Sequence, residues 1–124
     1  MTNNLEKDTK QLVDAVVAAM EDKKGFDITV IDFSKTPNTV AQSFVICHGS
    51  SNTHVITLAD GVIEGVRVKT GTKPWNKEGY ENAEWILLDY ADVVVHIFQE
   101  NSRHFYNLED LWADMEITRV ASKQ

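Results

Sequence analysis

The chain has little cysteine, little proline and no long apolar run, and each shortage closes off a class of protein. Cys47 is the only cysteine in 124 residues, which forbids an intramolecular disulfide and a thiolate-rich zinc site. The expectation for it is a buried, unreactive thiol. No stretch approaches the roughly 20 consecutive apolar residues of a membrane-spanning helix, and the first residues, MTNNLEKDTK, lack the apolar core of a signal peptide. Both point to a cytoplasmic protein without a membrane partner, or, in a cell with organelles, one trimmed on import. The two prolines, Pro37 and Pro74, fall in turn-rich stretches, and there is no internal repeat or low-complexity tract.

Basic residues are scarce in one half only. Residues 1–77 hold nine acidic and nine basic side chains, whereas residues 78–116 hold ten acidic ones and a single cation, Arg103, within a net charge of −7. That asymmetry argues against a phosphate-backbone or sequence-specific nucleic-acid binder, which needs clustered Lys and Arg. It suits a basic partner, for which charge sets encounter rate and orientation, or it serves plain solubility.

What is present is the material of one globular domain, with 43% apolar and 25% charged residues. Leu5, Leu12, Val16, Ala19 and Met20, widened by Val13 and Val17, form a helical stripe. Asn3 or Asn4 is the expected cap, and Lys23, Lys24 and Gly25 the cationic, left-handed stop, so helix one spans roughly 4–23. FDITVIDF (26–33) and SFVICH (43–48) switch to β-branched and aromatic residues and read as neighbouring strands. HGSSNT (48–53) supplies a Ser or Asn cap for a second helix with a stripe of Val55, Leu58, Ala59, Val62 and Val66, ending near Lys69 before Gly71. Residues 70–84 read as a long loop with room for a short strand. WILLDY and DVVVHIF, apolar on both faces, predict two strands buried on both sides with a tight reversal at Ala91 and Asp92. Residues 101–115 place Phe105, Leu108, Leu111 and Trp112 at helical spacing behind Asn101 or Ser102, with a short tail after them. The fold class is therefore α/β, a single domain over residues 1–124 with its core at about 4–115 and a helix-covered sheet.

Tests for chemistry return little. HGSS lacks the glycine spacing and lysine of a phosphate loop, and a helix cap accounts for it. Asp89, Asp92 and His96 are too few for a metal site unless the chain reverses between the carboxylates, and Asp at a turn accepts backbone hydrogen bonds without any metal. His96, in mid-strand, reads as a hydrogen-bonded structural histidine. Cys47 and His48 point to opposite faces of a strand, so no nucleophile and base assemble there. Aromatics are more informative: Trp75, Trp85, Tyr90, Tyr106 and Trp112 lie in or near the acidic half, and Trp and Tyr anchor protein interfaces. Trp112 reads as core; Trp85 and Tyr90, five apart on one strand, face opposite ways, which leaves room for one on an open face.

WILLDYADVVVHIF followed by RHFYNLEDLW resembles the signature of the ribosomal silencing factor, or Iojap-like, family, and DITVIDFS and SFVICHGSSNTHVITLADGV resemble that family's first strands and second helix. The resemblance runs from Asp27 to Trp112. It implies a mixed sheet flanked by helices, similar to the nucleotidyltransferase superfamily but without that activity and without a cofactor. It also implies a translational repressor that binds the large ribosomal subunit through its fourteenth protein and blocks joining of the small subunit when nutrients are scarce. Carried onto matching positions, the contact set is Trp85, Asp89, Tyr90 and Asp92, with Glu100, Arg103 and Tyr106 as neighbours. The family further implies a homodimer when free, which would cover part of the same face. Ala91 stands where the family commonly has glycine, at a cost of about 1 kcal/mol if that position needs a positive φ. The alternatives are a large-subunit assembly factor and an enzyme, nucleotidyltransferase-like or metal-dependent, using Asp89, Asp92 and His96.

Overall fold

The computed structural model describes residues 2–39 and 41–121, with side chains from Asp8 onward. The side chains of Asn3, Asn4 and Leu5 and the last three residues of the tail thus lie outside the described residues. In chain order the elements are α1 (Thr2–Asp22), β1 (Phe26–Asp32), β2 (Ser43–Gly49), α2 (Asn52–Thr70), β3 (Asn76–Glu78), β4 (Trp85–Asp89), β5 (Val93–Gln99), α3 (Glu100–Tyr106), α4 (Leu108–Leu111) and β6 (Glu116–Arg119). Among the described residues the strands form one sheet in the order β3-β4-β5-β2-β1-β6. β2 and β5 run parallel and the other pairs antiparallel, a mixed sheet in an α/β domain.

α1 and α2 lie together on one face. The stripe Val55, Leu58, Ala59, Val62 and Val66 is buried and meets Val16, Met20, Val45, Cys47, Ile86, Leu88, Val93, Val95 and Ile97 in the main core. Ser51 caps α2, its hydroxyl accepting from the His54 amide at 3.0 Å, and Gly71 closes the helix at φ +74°, so the HGSS stretch is a helix cap. At the end of α1 the left-handed residue is Lys24, at φ +64°, rather than Gly25. Gly25 is small for another reason: a Cβ there would stand 3.1 Å from the Cys47 sulfur and 3.2 Å from Leu58.

The opposite face has a thinner cover. Ile31, Phe33, Ile46 and Phe98 make a second cluster capped by Leu108, Trp112, Met115 and Ile117. Residues 101–115 do not form the single helix that their spacing predicts. Asn107 adopts φ +49°, ψ +56°, which ends α3 and starts the one-turn α4, and Phe105 and Leu111 are left 80% and 66% exposed instead of packed. The tail beyond them is not featureless either, since residues 116–119 add an edge strand to β1. β5 is buried on both sides as expected, whereas β4 alternates, with Ile86 and Leu88 in the core and Trp85, Leu87 and Asp89 half-buried on the thinly covered face.

Candidate recognition site

The register of the central strands arranges that second face in rows. Asp89 stands beside Val94 and Phe44, Leu87 beside His96 and Ile46, and Trp85 beside Phe98 and His48. Side chains alternate along each strand, so these residues share one face. Trp85 is fixed there by its neighbours. Its indole N–H donates to His96 Nδ1 at 3.1 Å, its ring stacks on Phe98 at 4.9 Å, and the Tyr106 ring lies 4.7 Å away. Tyr106, half exposed, closes α3. The result is a rigid aromatic pair on the thinly covered face of the sheet, with Leu87 between Trp85 and Asp89.

The β4–β5 reversal supplies the acid. The Asp89 carboxylate accepts the Ala91 amide at 2.8 Å, and Ala91 itself takes φ +70°, the conformation in which a glycine would be more comfortable. The Asp92 carbonyl is held by the Gln42 and Ser43 amides at 2.7 and 3.1 Å. The backbone is thereby anchored while the Asp92 side chain stays partly exposed. Glu100, exposed, occupies the first turn of α3, where a carboxylate complements the helix dipole.

Two residues of the expected contact set are placed elsewhere. Tyr90 turns into the main core and is only 4% exposed, because its even position follows Ile86 and Leu88 rather than Trp85. Burial pushes its hydroxyl up to about 12. Arg103 is also 4% exposed. Its guanidinium donates to Glu109 Oε2 at 2.8 Å, to Thr29 Oγ1 at 3.0 Å and to the Phe26 carbonyl at 3.2 Å, and lies 3.0 Å from His48 Nδ1. It pins α3 and α4 to β1 and β2 and is unavailable as a surface contact. The sequence carries little signal for this, since the partners are scattered along the chain.

The acid/base constellation does not assemble. His96 is buried beneath Trp85, with Nδ1 engaged as an acceptor, so the imidazole carries its proton on Nε2. Burial lowers it to about 4, which keeps it neutral near pH 7. Among the described residues no group of three or more His, Cys, Asp or Glu is placed to hold a metal ion. Cys47 is fully buried, and burial pushes its thiol up to about 12 against the opposing charge of Arg103. Leu87 and Phe44 on the open face and the exposed Phe105 join the site without having been expected there; period-2 alternation from Trp85 to Asp89 is the signal that would have found Leu87.

Among the described residues no helix is long and apolar enough to cross a membrane. The family described as "Ribosomal silencing factor during starvation" matches residues 6–124. A protein of Halalkalibacterium halodurans named ribosomal silencing factor is 38% identical over 105 residues, which cover 85% of this chain and 88% of that one. A crystal structure of a Chromobacterium violaceum protein superposes with a TM-score of 0.73 at 32% identity, covering 96% of this chain and 95% of the other. A more distant relative in mouse, named mitochondrial assembly of ribosomal large subunit protein 1, is 25% identical over 90% of this chain, which spans about half (51%) of that protein.

Proposed function

Because this chain belongs to the ribosomal silencing factor family, we propose that it binds the large ribosomal subunit through that subunit's fourteenth protein and sterically prevents the small subunit from joining. The observation that carries the reading is the half-open sheet face, where Trp85, Leu87 and Tyr106 form an aromatic and apolar centre beside the Asp89–Asp92 edge. Interfaces of this kind draw their energy from a few rigid anchors. The surrounding carboxylates then select a basic partner and orient it. Glu100 extends the acidic rim, while Tyr90 and Arg103 act from below by holding the strands and α3 in place. Recognition needs no cofactor and no catalytic group, and the protein acts in the cytoplasm as a binding protein rather than an enzyme.

The name of the mouse relative favours a second reading, assistance in large-subunit assembly. Both readings use the same surface and differ in when the protein is bound.

The test is co-sedimentation with isolated large subunits and with the purified fourteenth protein. Asp92→Lys is the cleaner charge reversal, because the Asp89 carboxylate also builds the turn. With circular dichroism showing an intact fold, and a lowered melting point expected for Trp85→Ala alone, Asp92→Lys and Trp85→Ala should each weaken binding to both targets about tenfold or more. Undiminished binding by both variants, or no binding by the folded wild-type chain at moderate salt, would reject the proposal.

A further inference from the structure

The segment RVKTGTKPWNK, residues 67–77, contains four cations and no carboxylate, immediately before the acidic half begins. The fold gathers it into one patch. Ile63, Arg67, Lys73, Pro74, Trp75 and Lys77 line an open hollow of about 380 Å³, and none of these is acidic. Arg67 shares its charge with Glu64, at 2.7 Å, and the Lys77 ammonium sits over the Tyr80 ring at 5.4 Å. Lys69 and Lys73 have no ion-pair partner among the described residues. The nearest carboxylate on the following strand, Glu78, accepts from the Asn76 side chain at 2.8 Å.

Trp75 stands out in this patch. It is 83% exposed, although a free indole face in water gives up a large apolar area, and it is not floppy: its amide donates to the Asp89 carbonyl at 2.7 Å, and Pro74 fixes the chain before it. The anchoring atom belongs to the same residue that begins the acidic edge. The cationic patch, which includes Ile63 and Arg67 of α2, thus lies around the β3 edge of the sheet from the acidic turn, and the two have opposite sign.

We propose that Trp75 with Lys73 and Lys77 is a second contact surface, one that takes ribosomal RNA: phosphates on the lysines and an unpaired base on the exposed indole. The proposal rests on the large-subunit reading above. A basic ribosomal protein is basic because it is seated on RNA, so a chain whose acidic edge meets that protein presents its neighbouring surface to phosphates. Lysines supply counterion release without sequence preference, and an aromatic face stacks any base. The acidic half, residues 78–116, argues against a phosphate-backbone binder, but the four cations of residues 67–77 lie outside it, and the contact they offer carries no sequence preference.

Cys47 is fully buried, so a cysteine introduced as Trp75→Cys can be labelled alone with a benzophenone maleimide and photolysed on large subunits. The expected adduct is nuclease-sensitive, carrying RNA. In parallel, Lys73→Glu combined with Lys77→Glu should weaken binding to large subunits about tenfold or more and reduce the slope of log K against log salt by about 1 for each lysine withdrawn from a phosphate. Binding to the isolated fourteenth protein should be unchanged. A protease-sensitive adduct would assign the patch to a protein partner instead and overturn the proposal, as would no adduct from a bound labelled chain or full subunit affinity in the double variant. Failure of the underlying reading looks different: wild-type chain would then not bind the isolated fourteenth protein, whatever the patch variants do.

Discussion

Arg103 shows how a charge in the acidic half can serve the fold rather than the surface. Its side chain is 5% exposed and that of Glu109, which it meets, is 14% exposed, so removing Arg103 leaves the Glu109 charge mostly buried with only the exposed Arg119, 3.7 Å away, opposite it. Arg103→Met should cost about 3–5 kcal/mol, read as a lowered urea midpoint with an unchanged slope. Acid should act on the same core in two windows. Burial lowers His96 to about 4 from an ordinary 6.5, so the unfolded chain binds the proton first and stability falls as the pH drops from about 6.5 toward 4. His48, lowered by burial and then by Arg103, adds to the same slope. Burial pushes Glu109 up, but the hydrogen bonds and charge of Arg103 prevail and hold its carboxyl below 4.5; its contribution is present above that pH and is lost as the pH falls through the folded value. His96→Gln should flatten the upper window by up to about 3 kcal/mol, and thermal melts at pH 7, 5.5 and 4.5 would show it; an unaltered pH profile would contradict the assignment. Protonation at Nδ1 would also cost His96 its bond from Trp85, so acid should loosen the indole at the proposed interface. Ala91 is the simplest case at this scale. With φ at +70°, Ala91→Gly should raise stability by about 0.5–1 kcal/mol and leave subunit binding intact.

At the scale of elements, the β3–β4 connection carries the site. Gly79 sits at φ +93°, and a Cβ there would collide with the Trp85 carbonyl. Gly79→Ala should therefore displace residues 79–84 and the start of β4, costing on the order of 1–3 kcal/mol. It should also weaken large-subunit binding through Trp85, a residue it does not replace; binding as tight as wild type would show that β4 is positioned without the turn. What the sequence disclosed depended on how local the determining physics was. The α2 stripe and its Ser51 cap were legible because a helix face and its cap are set within a few residues. β5 was legible because both of its faces are apolar. The 101–115 stretch was not, since Phe105, Leu108, Leu111 and Trp112 keep helical spacing across Asn107 while the Asn107 backbone turns left-handed. Edge strand β6 is four residues long and, among the described residues, pairs with β1 alone, too short for a pattern to register. The buried role of Arg103 escaped for the opposite reason to locality, because Phe26, Thr29, His48 and Glu109 meet only across the folded sheet.

The whole molecule supplies what no single contact can, which is bulk. A folded chain of this length has a radius of gyration of about 14 Å, so its body is more than about 25 Å across. On the proposed reading, that body, held on one subunit by the Trp85 face, would exclude another subunit from the same space. Exclusion of that kind predicts proportionality: across Trp85→Ala, Asp92→Lys, Gly79→Ala and the wild type, inhibition of subunit joining should follow occupancy of the large subunit and nothing else. Light scattering of joining subunits, plotted against the bound fraction measured by co-sedimentation, should place every variant on one curve. A variant that binds fully without inhibiting would remove the steric mechanism. The expected homodimer belongs to the same scale. Phe105, 80% exposed, extends the apolar surface of Trp85 and Tyr106, its ring 5.1 Å from that of Tyr106, and a stable dimer needs about 800 Å² per partner. If free chains pair over this face, the dimer and the ribosomal complex compete for it. Apparent affinity for the fourteenth protein should then improve on dilution below the dimer dissociation constant, and Phe105→Ser should shift sedimentation toward monomer. Dimers that bind the fourteenth protein as well as monomers do would place the dimer interface on a different face.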